Sequence, residues 1–299
     1  MTKNTDLLKA AQTATDSLTA AASLREPRSA EQVQRDLSGQ EIYGDNFTID
    51  EIQKWYSEEE HGYHDLAVKA GGHESIYAAF DKYHFFDRIK VSGKFFAVGV
   101  ADGSDFLPIS SSIDEFHFVE ICEDFWTDTI GQTPAFYSKP SVLGTLEYPD
   151  NMFDHGAFFS VLHHIPNVSC SLREMYRVLK PGGVLFLREP TVSMGDWRHP
   201  RSGLTNNERG IPLPALRNLA TDLGFQILRE VECIHPLVRH LAKACGLSRP
   251  FSNSTLTKID VGVSKLVRFS TAYHPQNLIQ KMRPQGVAMI LVKSKLAFS

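Results

Sequence analysis

Between Tyr148 and Pro190 the spacing of apolar positions changes period twice. His155 to Ser160 is a short, mostly apolar and aromatic run that predicts a buried strand. Leu172, Met175, Val178 and Leu179 then recur at helical spacing, with Arg173, Glu174 and Arg177 facing outward. Asn167 or Ser169 can cap that helix. Lys180-Pro181-Gly182-Gly183 ends it by removing an N–H donor and allowing positive φ. Val184 to Leu187 is the next apolar strand, and Pro149-Asp150-Asn151 is a turn before the first. Strand, helix and strand in so short a space predict a βαβ unit with parallel strands.

Similar patterning predicts strands at Phe95–Val100, Phe116–Ile121, Ser141–Leu143, Phe225–Val231 and Val287–Val292. Glu123, Asp124 and Trp126 are expected to begin a helix, and Ala215–Leu223 is a helix stopped at Gly224. Thr191 to Pro214 is long and irregular, and such a loop in a compact domain is usually functional or disordered. Residues 1–45, rich in Ala, Thr and Ser, are expected to form a loosely held arm. Residues 46–92 read as a helical cap. Thr48-Ile49-Asp50-Glu51 is a capping box that starts one helix, His61-Gly62-Tyr63-His64 is expected to interrupt it, and 73–89 is expected to be helical again. Residues 93–299 hold the main domain, with 235–283 inserted before its last strand.

Composition narrows the class. The chain has 299 residues, 42% hydrophobic and 22% charged, with net charge −4. That suffices for a real core and makes no case for nucleic acid. No apolar run reaches the ~18 residues that span a bilayer, and the N-terminus lacks a secretory apolar core. Cys122, Cys170, Cys233 and Cys245 form no metal spacing and read as reduced thiols of a cytoplasmic protein. The insert departs from this balance, with eight basic residues against Asp260, a net +7. An amphipathic basic segment reads as a solvated lid, or as a surface for an anionic acceptor or peripheral contact with an anionic membrane.

The pieces Tyr148-Pro-Asp-Asn-Met-Phe-Asp154, Ser160-Val-Leu-His-His-Ile-Pro166, Leu172-Arg-Glu-Met-Tyr-Arg-Val-Leu-Lys-Pro-Gly-Gly183 and Arg188-Glu-Pro190 occur in this order. Together they closely resemble the second half of the class I S-adenosylmethionine (SAM)-dependent methyltransferase domain. The resemblance covers Phe95 to Leu228 and the last strand by pattern. It implies an α/β fold, a doubly wound, seven-stranded, mostly parallel sheet, with SAM as cofactor. The loop Thr191–Pro214 is similar, more weakly, to that of methyltransferases found with polysaccharide synthesis.

The resemblance also assigns a site. Gly99-Val-Ala-Asp-Gly103 takes the place of the glycine-rich cofactor loop, where small residues let the backbone approach a ligand. Ala97 stands where an acid is usual and Ala101 replaces the middle glycine; Asp102 or Asp105 can substitute for the acid. Glu120 lies 21 residues after Gly99, near the ~20 expected for the acid that accepts hydrogen bonds from ribose hydroxyls. Ile121 follows it. Leu143 and Gly144 fall at the adenine, and Ser160 at the sulfonium and methyl. His163 is the expected base, with Glu189 and His199 as other catalytic candidates. Tyr56, Tyr63, His164, Trp197, Arg201, Glu208 and Arg209 are the acceptor-binding candidates. The implied reaction is methyl transfer to an acceptor hydroxyl, of a sugar or glycan, or else of a small natural product or an amine. A non-catalytic protein of this fold, or an NAD-binding oxidoreductase, is the rival. Ala97 and Ala101 favour the former, while the missing G-x-G-x-x-G disfavours the latter.

Overall fold

The computed structural model describes residues 29–70, 75–197, 199, 201, 203–205 and 207–295, without the side chains of 61 and 63–70. Most of the expected arm, the Tyr63 side chain and the start of the expected 73–89 helix therefore lie outside the described residues.

Helix α1 (Ala30–Ser38) opens on a reciprocal box, Ser29 and Gln32 each bonding the other's amide. The contacts divide the chain after Arg35. From Asp36 onward the chain packs into the main body, with Ile42 and Tyr43 buried, so the arm does not extend to residue 45 as expected. Helix α2 (Ile49–Ala70) starts as its capping box predicts: Glu51 accepts from the Thr48 amide at 2.8 Å. It runs through His61–His64 without interruption, because one glycine costs a helix only about 1 kcal/mol. Beyond it lie α3 (Ala78–Asp81) and a π turn (Lys82–Phe86).

The sheet has eight strands in the order β3-β4-β2-β1-β5-β6-β8-β7. The strands are β1 (Gly93–Val98), β2 (Ile113–Val119), β3 (Thr129–Ile130), β4 (Thr133–Ser138), β5 (Phe153–Phe159), β6 (Leu179–Pro190), β7 (Phe225–Cys233) and β8 (Gly286–Lys293). Strands β4, β2, β1, β5 and β6 are parallel, and β8 pairs antiparallel with β6 and β7. The expected fold class is therefore present, with eight strands where seven were expected. Two details differ. The third parallel strand is Thr133–Ser138, while Ser141 closes a turn on Gly144. Glu123 begins a single 3-10 turn rather than a helix, and the two-residue β3 forms a hairpin with β4.

Side chains alternate across each strand, so neighbours serve opposite cores. Phe96, Leu185 and Leu187 pack with α4 (Val168–Val178) and α5 (Leu213–Asp222) on one face. Phe95, Ala97 and Phe186 pack with Phe80, Phe85 and Phe106 on the other. Helix α4 buries Leu172, Met175 and Val178 at the predicted spacing. Asn167 stands at the N-cap, as one of the two expected positions, but its side chain makes no capping bond. The Asp45 carboxylate accepts from the Ser169 amide at 2.7 Å, freeing the Asn167 amide group to donate to the Leu143 carbonyl. At the other end the Lys293 ammonium donates to the Tyr176 and Leu179 carbonyls.

Candidate active site

A cavity of about 280 Å³ opens at the carboxyl ends of β1, β2, β5 and β6. That is where open α/β sheets bind ligands, and the volume is near the ~300 Å³ lower end of small-molecule pockets. Gly99, Glu120, Ile121, Gly144 and Ser160, five of the ten expected cofactor residues, line it. Gly99 has φ +64°, and a Cβ there would stand 2.1 Å from the Val161 side chain, so the turn requires glycine. Ala101 keeps the left-handed backbone of the glycine it replaces, at φ 48°. Its amide donates to Glu120 at 2.7 Å, and the Cys122 amide donates to the other Glu120 oxygen at 3.1 Å. The carboxylate thus ties the glycine loop to the end of β2. Ser160 is also left-handed, at φ 56°, where β5 turns out of the sheet.

The other five expected cofactor residues do not line the cavity. Phe96 and Val98 do, so strand alternation turns Ala97 to the opposite core. Ala101 is buried behind the loop, and the Asp102 carboxylate accepts from the Ser104 amide. A Cβ on Gly103 would meet Ile130 at 2.5 Å, so that glycine answers to packing. Leu143 is half exposed, its carbonyl taken by Asn167 and Cys170.

Arg188 and Asp105 occupy one part of the wall. The Arg188 guanidinium is 2% exposed, lies 3.9 Å above the Tyr77 ring, and pairs with Asp81 at 3.0 Å and Asp105 at 3.2 Å. Its Nη1 has no hydrogen-bond partner among the described residues. Burial pushes the Asp81 carboxyl up to about 8 against the pull of Arg188. A cation and an anion therefore face the cavity side by side.

His163, the expected base, and His164, an expected acceptor-binding residue, are placed differently. Only His164 lines the cavity. Its Nδ1 is 2.8 Å from Glu59 Oε2, and Glu59, also on the wall, leaves Oε1 without a partner among the described residues. Burial opposes charge on His164, but the Glu59 hydrogen bond and charge outweigh it and raise its pKa. His163 is buried behind the wall, Nδ1 2.8 Å from Glu189 and Nε2 3.6 Å from Glu208. Burial and the neighbouring His164 lower its pKa. The reason is local: Leu162–His164 is a 3-10 turn, in which successive residues point about 120° apart. Glu189 also accepts from the Val161 and Leu162 amides at 2.7 Å each, so it braces the turn and does not reach the cavity. His199 is exposed, 4.0 Å from Asp196.

Among the acceptor candidates Tyr56 lines the cavity. The loop residues do not; they hold the loop together. Trp197 stacks on Tyr43 at 4.9 Å and donates to the Ser193 carbonyl. Arg201 donates to the Met194, Thr205 and Glu208 carbonyls. Glu208 accepts from the Thr205 amide, and Arg209 donates to the Tyr43, Leu162 and Ile165 carbonyls. Sequence reading missed Glu59 and Tyr77 as wall residues, and left Arg188 without a role. It also found no metal spacing, whereas the fold brings His163, His164 and Glu208 together.

Residues 120–187 match the family described as Methyltransferase domain. A 24-methylenesterol C-methyltransferase of Oryza sativa subsp. japonica is 30% identical over 101 residues, 31% of this chain and 28% of the relative. A demethylmenaquinone methyltransferase of Listeria monocytogenes is 52% identical over 40 residues, 13% of this chain and 17% of the relative. The chain thus spans less than a third of the length of these relatives. Among solved structures, a SAM-dependent methyltransferase from Archaeoglobus fulgidus superposes with TM-score 0.51 at 18% identity, over 77% of this chain and 99% of that one. The cyclase SpnF does so with TM-score 0.52 at 17% identity, over 81% and 96%. These likenesses show the fold.

Proposed function

We propose that the chain is a SAM-dependent methyltransferase that alkylates an acceptor hydroxyl. The observation that carries this is the cavity itself, because Gly99, Glu120, Gly144 and Ser160 meet on one wall although they come from four separate segments. The matched methyltransferase segment supports it. When bound, SAM supplies an electrophilic methyl on a sulfonium. Glu120 suits vicinal ribose hydroxyls, since each carboxylate oxygen has two lone pairs. Asp105 and the unpartnered Nη1 of Arg188 suit the ammonium and carboxylate of the methionine end. This pair answers for the acid missing at Ala97.

On the acceptor side the base is Glu59. Its Oε1 has no partner among the described residues, and His164 holds its Oε2 at 2.8 Å. Glu59 would take the proton of an acceptor oxygen, and bound SAM would supply the methyl, with sulfur as the leaving atom. Most of the rate gain comes from holding oxygen and methyl in line. For the acceptor class, the loop that suggested a sugar spends Trp197, Arg201, Glu208 and Arg209 on itself. Tyr56 and the half-exposed Ile76 on the wall favour a small molecule with an apolar or aromatic body. A sugar or glycan hydroxyl remains the second arm of the screen.

The insert is read as a peripheral membrane contact. Helix α6 (Ser254–Leu266) buries Thr257, Asp260 and Ser264, so Lys258, Ile259, Lys265 and Leu266 share its outer face. Leu266 is 86% exposed, and Phe269, Leu278 and Ile279 are exposed nearby in the chain. Exposed apolar side chains among lysines suit an anionic lipid surface. Among the described residues no helix is long and apolar enough to cross a membrane.

The test of the activity is a screen with methyl-labelled SAM against phenolic, alcoholic, amine and saccharide acceptors. Glu59→Gln should lower kcat by about 10²–10⁴ with SAM Kd near wild type. Absence of SAM binding by calorimetry would sink the reading, and turnover of saccharides alone would return the acceptor to a glycan.

A further inference from the structure

At the cavity wall and behind it, two imidazoles and three carboxylates pack together, all buried but His164. One ligand-type atom from each of His163, His164 and Glu208 lies within 4.8 Å of the other two. His163 Nε2 and Glu208 Oε1 are 3.6 Å apart, too long for a hydrogen bond. It is close to the roughly 3.4 Å that separates two ligands ~2.0–2.2 Å from a tetrahedral zinc. Both imidazoles are held in the same way. His163 Nδ1 meets Glu189 Oε2 at 2.8 Å, and His164 Nδ1 meets Glu59 Oε2 at 2.8 Å. A histidine that gives its Nδ1–H to a carboxylate has its tautomer and ring orientation fixed, with a more basic Nε2 left to bind a metal.

Two carboxylate-oriented histidines side by side, facing a third carboxylate, are more than an ion-pair network requires. The charge balance agrees. Glu59, Glu189 and Glu208 are all buried here, and the nearby Arg201 and Arg209 both direct their guanidinium groups to backbone carbonyls. A divalent cation would offset this negative charge and complete the stretched His163–Glu208 contact.

We propose that His163 Nε2, His164 Nε2 and a Glu208 oxygen form a binding site for one divalent first-row transition ion of the zinc type. Two imidazoles and one carboxylate suit Zn²⁺, Fe²⁺, Co²⁺ or Ni²⁺ better than Mg²⁺ or Ca²⁺. Three protein ligands leave at least one position open. His164 and Glu59 are the two members of the cluster on the cavity wall, which puts the site next to an acceptor in the cavity. Its catalytic consequence rests on the methyl-transfer reading. A metal held there would lower the pKa of an acceptor hydroxyl, and Glu59 Oε1 would take its proton. Metal binding itself does not depend on that reading.

The experiment uses the full chain without an affinity tag, stripped with a chelator. Co²⁺ is titrated in without SAM and followed by its ligand-field absorption, and Zn²⁺ is titrated by calorimetry. One equivalent should bind, with nitrogen and oxygen ligands in the X-ray absorption spectrum. Glu208→Gln, which still accepts the Thr205 amide, should weaken binding by ~100-fold or more, and Glu59→Gln by ~10–100-fold. SAM affinity of Glu208→Gln should stay at the wild-type value. If Glu208→Gln fails to fold by circular dichroism, the wild-type stoichiometry and ligand set decide alone. Wild type that takes up no single equivalent, or Glu208→Gln that binds Co²⁺ as tightly as wild type, overturns the site. Metal uptake without SAM binding would sink the methyltransferase reading and leave this one standing.

Discussion

Replacing Glu120 by glutamine tests the cofactor end of the cavity most directly. The wild-type carboxylate is 2% exposed and accepts two backbone amides, from Ala101 and Cys122. Glutamine has the same shape, but its carbonyl oxygen can serve only one amide, and its NH₂ then points donors at the other. One buried N–H loses its acceptor, which should cost about 1–3 kcal/mol of stability. On the ligand side, two charge-assisted hydrogen bonds to ribose hydroxyls become at best one neutral one. A charged-group bond is worth about 1.5–3 kcal/mol. At about 1.4 kcal/mol per tenfold, SAM Kd should rise by roughly 10- to 150-fold. Thermal unfolding reads the first effect and calorimetry the second. A slackened glycine loop could also weaken SAM, so the ligand must be varied as well. Against a 2′,3′-dideoxy analogue of S-adenosylhomocysteine, wild type and variant should bind alike. A variant weakened as much for the analogue as for the parent ligand would place the effect in the loop and refute the ribose assignment.

Asp45→Ala should cost about 1–2 kcal/mol in thermal unfolding, since it removes the acceptor at the start of α4; an unchanged Tm would mean the cap is not used. His84 is buried, with no partner for either ring nitrogen among the described residues, and burial pulls its pKa from 6.5 to about 3. Its folded pKa is thus depressed, so the stability it contributes is full above pH 6.5 and lost as pH falls toward 3. Denaturant unfolding of His84→Phe should therefore lose less stability between those limits than wild type does, and parallel curves would exclude His84 as the titrating group. Binding to anionic vesicles should fall with salt and, with each lysine near the surface worth about 1 kcal/mol, drop ~30-fold or more on reversing Lys258 and Lys265 to Glu. Leu266→Ser with Phe269→Ser should weaken it too, and binding indifferent to salt and to all four changes would leave the insert a lid.

What could be read from the sequence were positions whose role follows from topology. Gly99, Glu120 and Ser160 stand at strand ends, and a parallel sheet sends strand ends to one edge, so finding the strands nearly finds the site. Even there phase matters. Ala97 and Val98 are neighbours, yet only Val98 reaches the cavity, because alternation assigns them to opposite faces. His163 and His164 pose the same problem on a tighter turn. Their chemistry is identical, and only the 3-10 geometry decides which one the wall receives. The loop after β6 misled for a different reason. Polar side chains in a long loop look alike whether they await a ligand or brace their own backbone. Buried irregular backbone has carbonyls that need donors, and Arg201 and Arg209 supply them.

The wall residues that were missed did leave a trace. In α2, Ile52 and Trp55 are 6% and 0% exposed, and Glu59 continues their stripe at i+7 and i+4. An acid on a buried helical stripe costs several kcal/mol unless something pairs with it. Glu59 reads as one more exposed acid of the Glu58-Glu59-Glu60 run until the helix phase is set by Trp55. Arg188 has the same signature. It ends the apolar run Val184 to Leu187 in a strand flanked on both sides, where a cation has no route to water. In both cases the informative feature is an ionisable residue at a position whose neighbours demand an apolar one. Such a residue must meet a partner from elsewhere in the chain, which here means His164 for Glu59 and Asp81 with Asp105 for Arg188. Glu59 Oε1 and Arg188 Nη1 are among the atoms these pairings leave without a hydrogen-bond partner among the described residues, and both residues line the cavity.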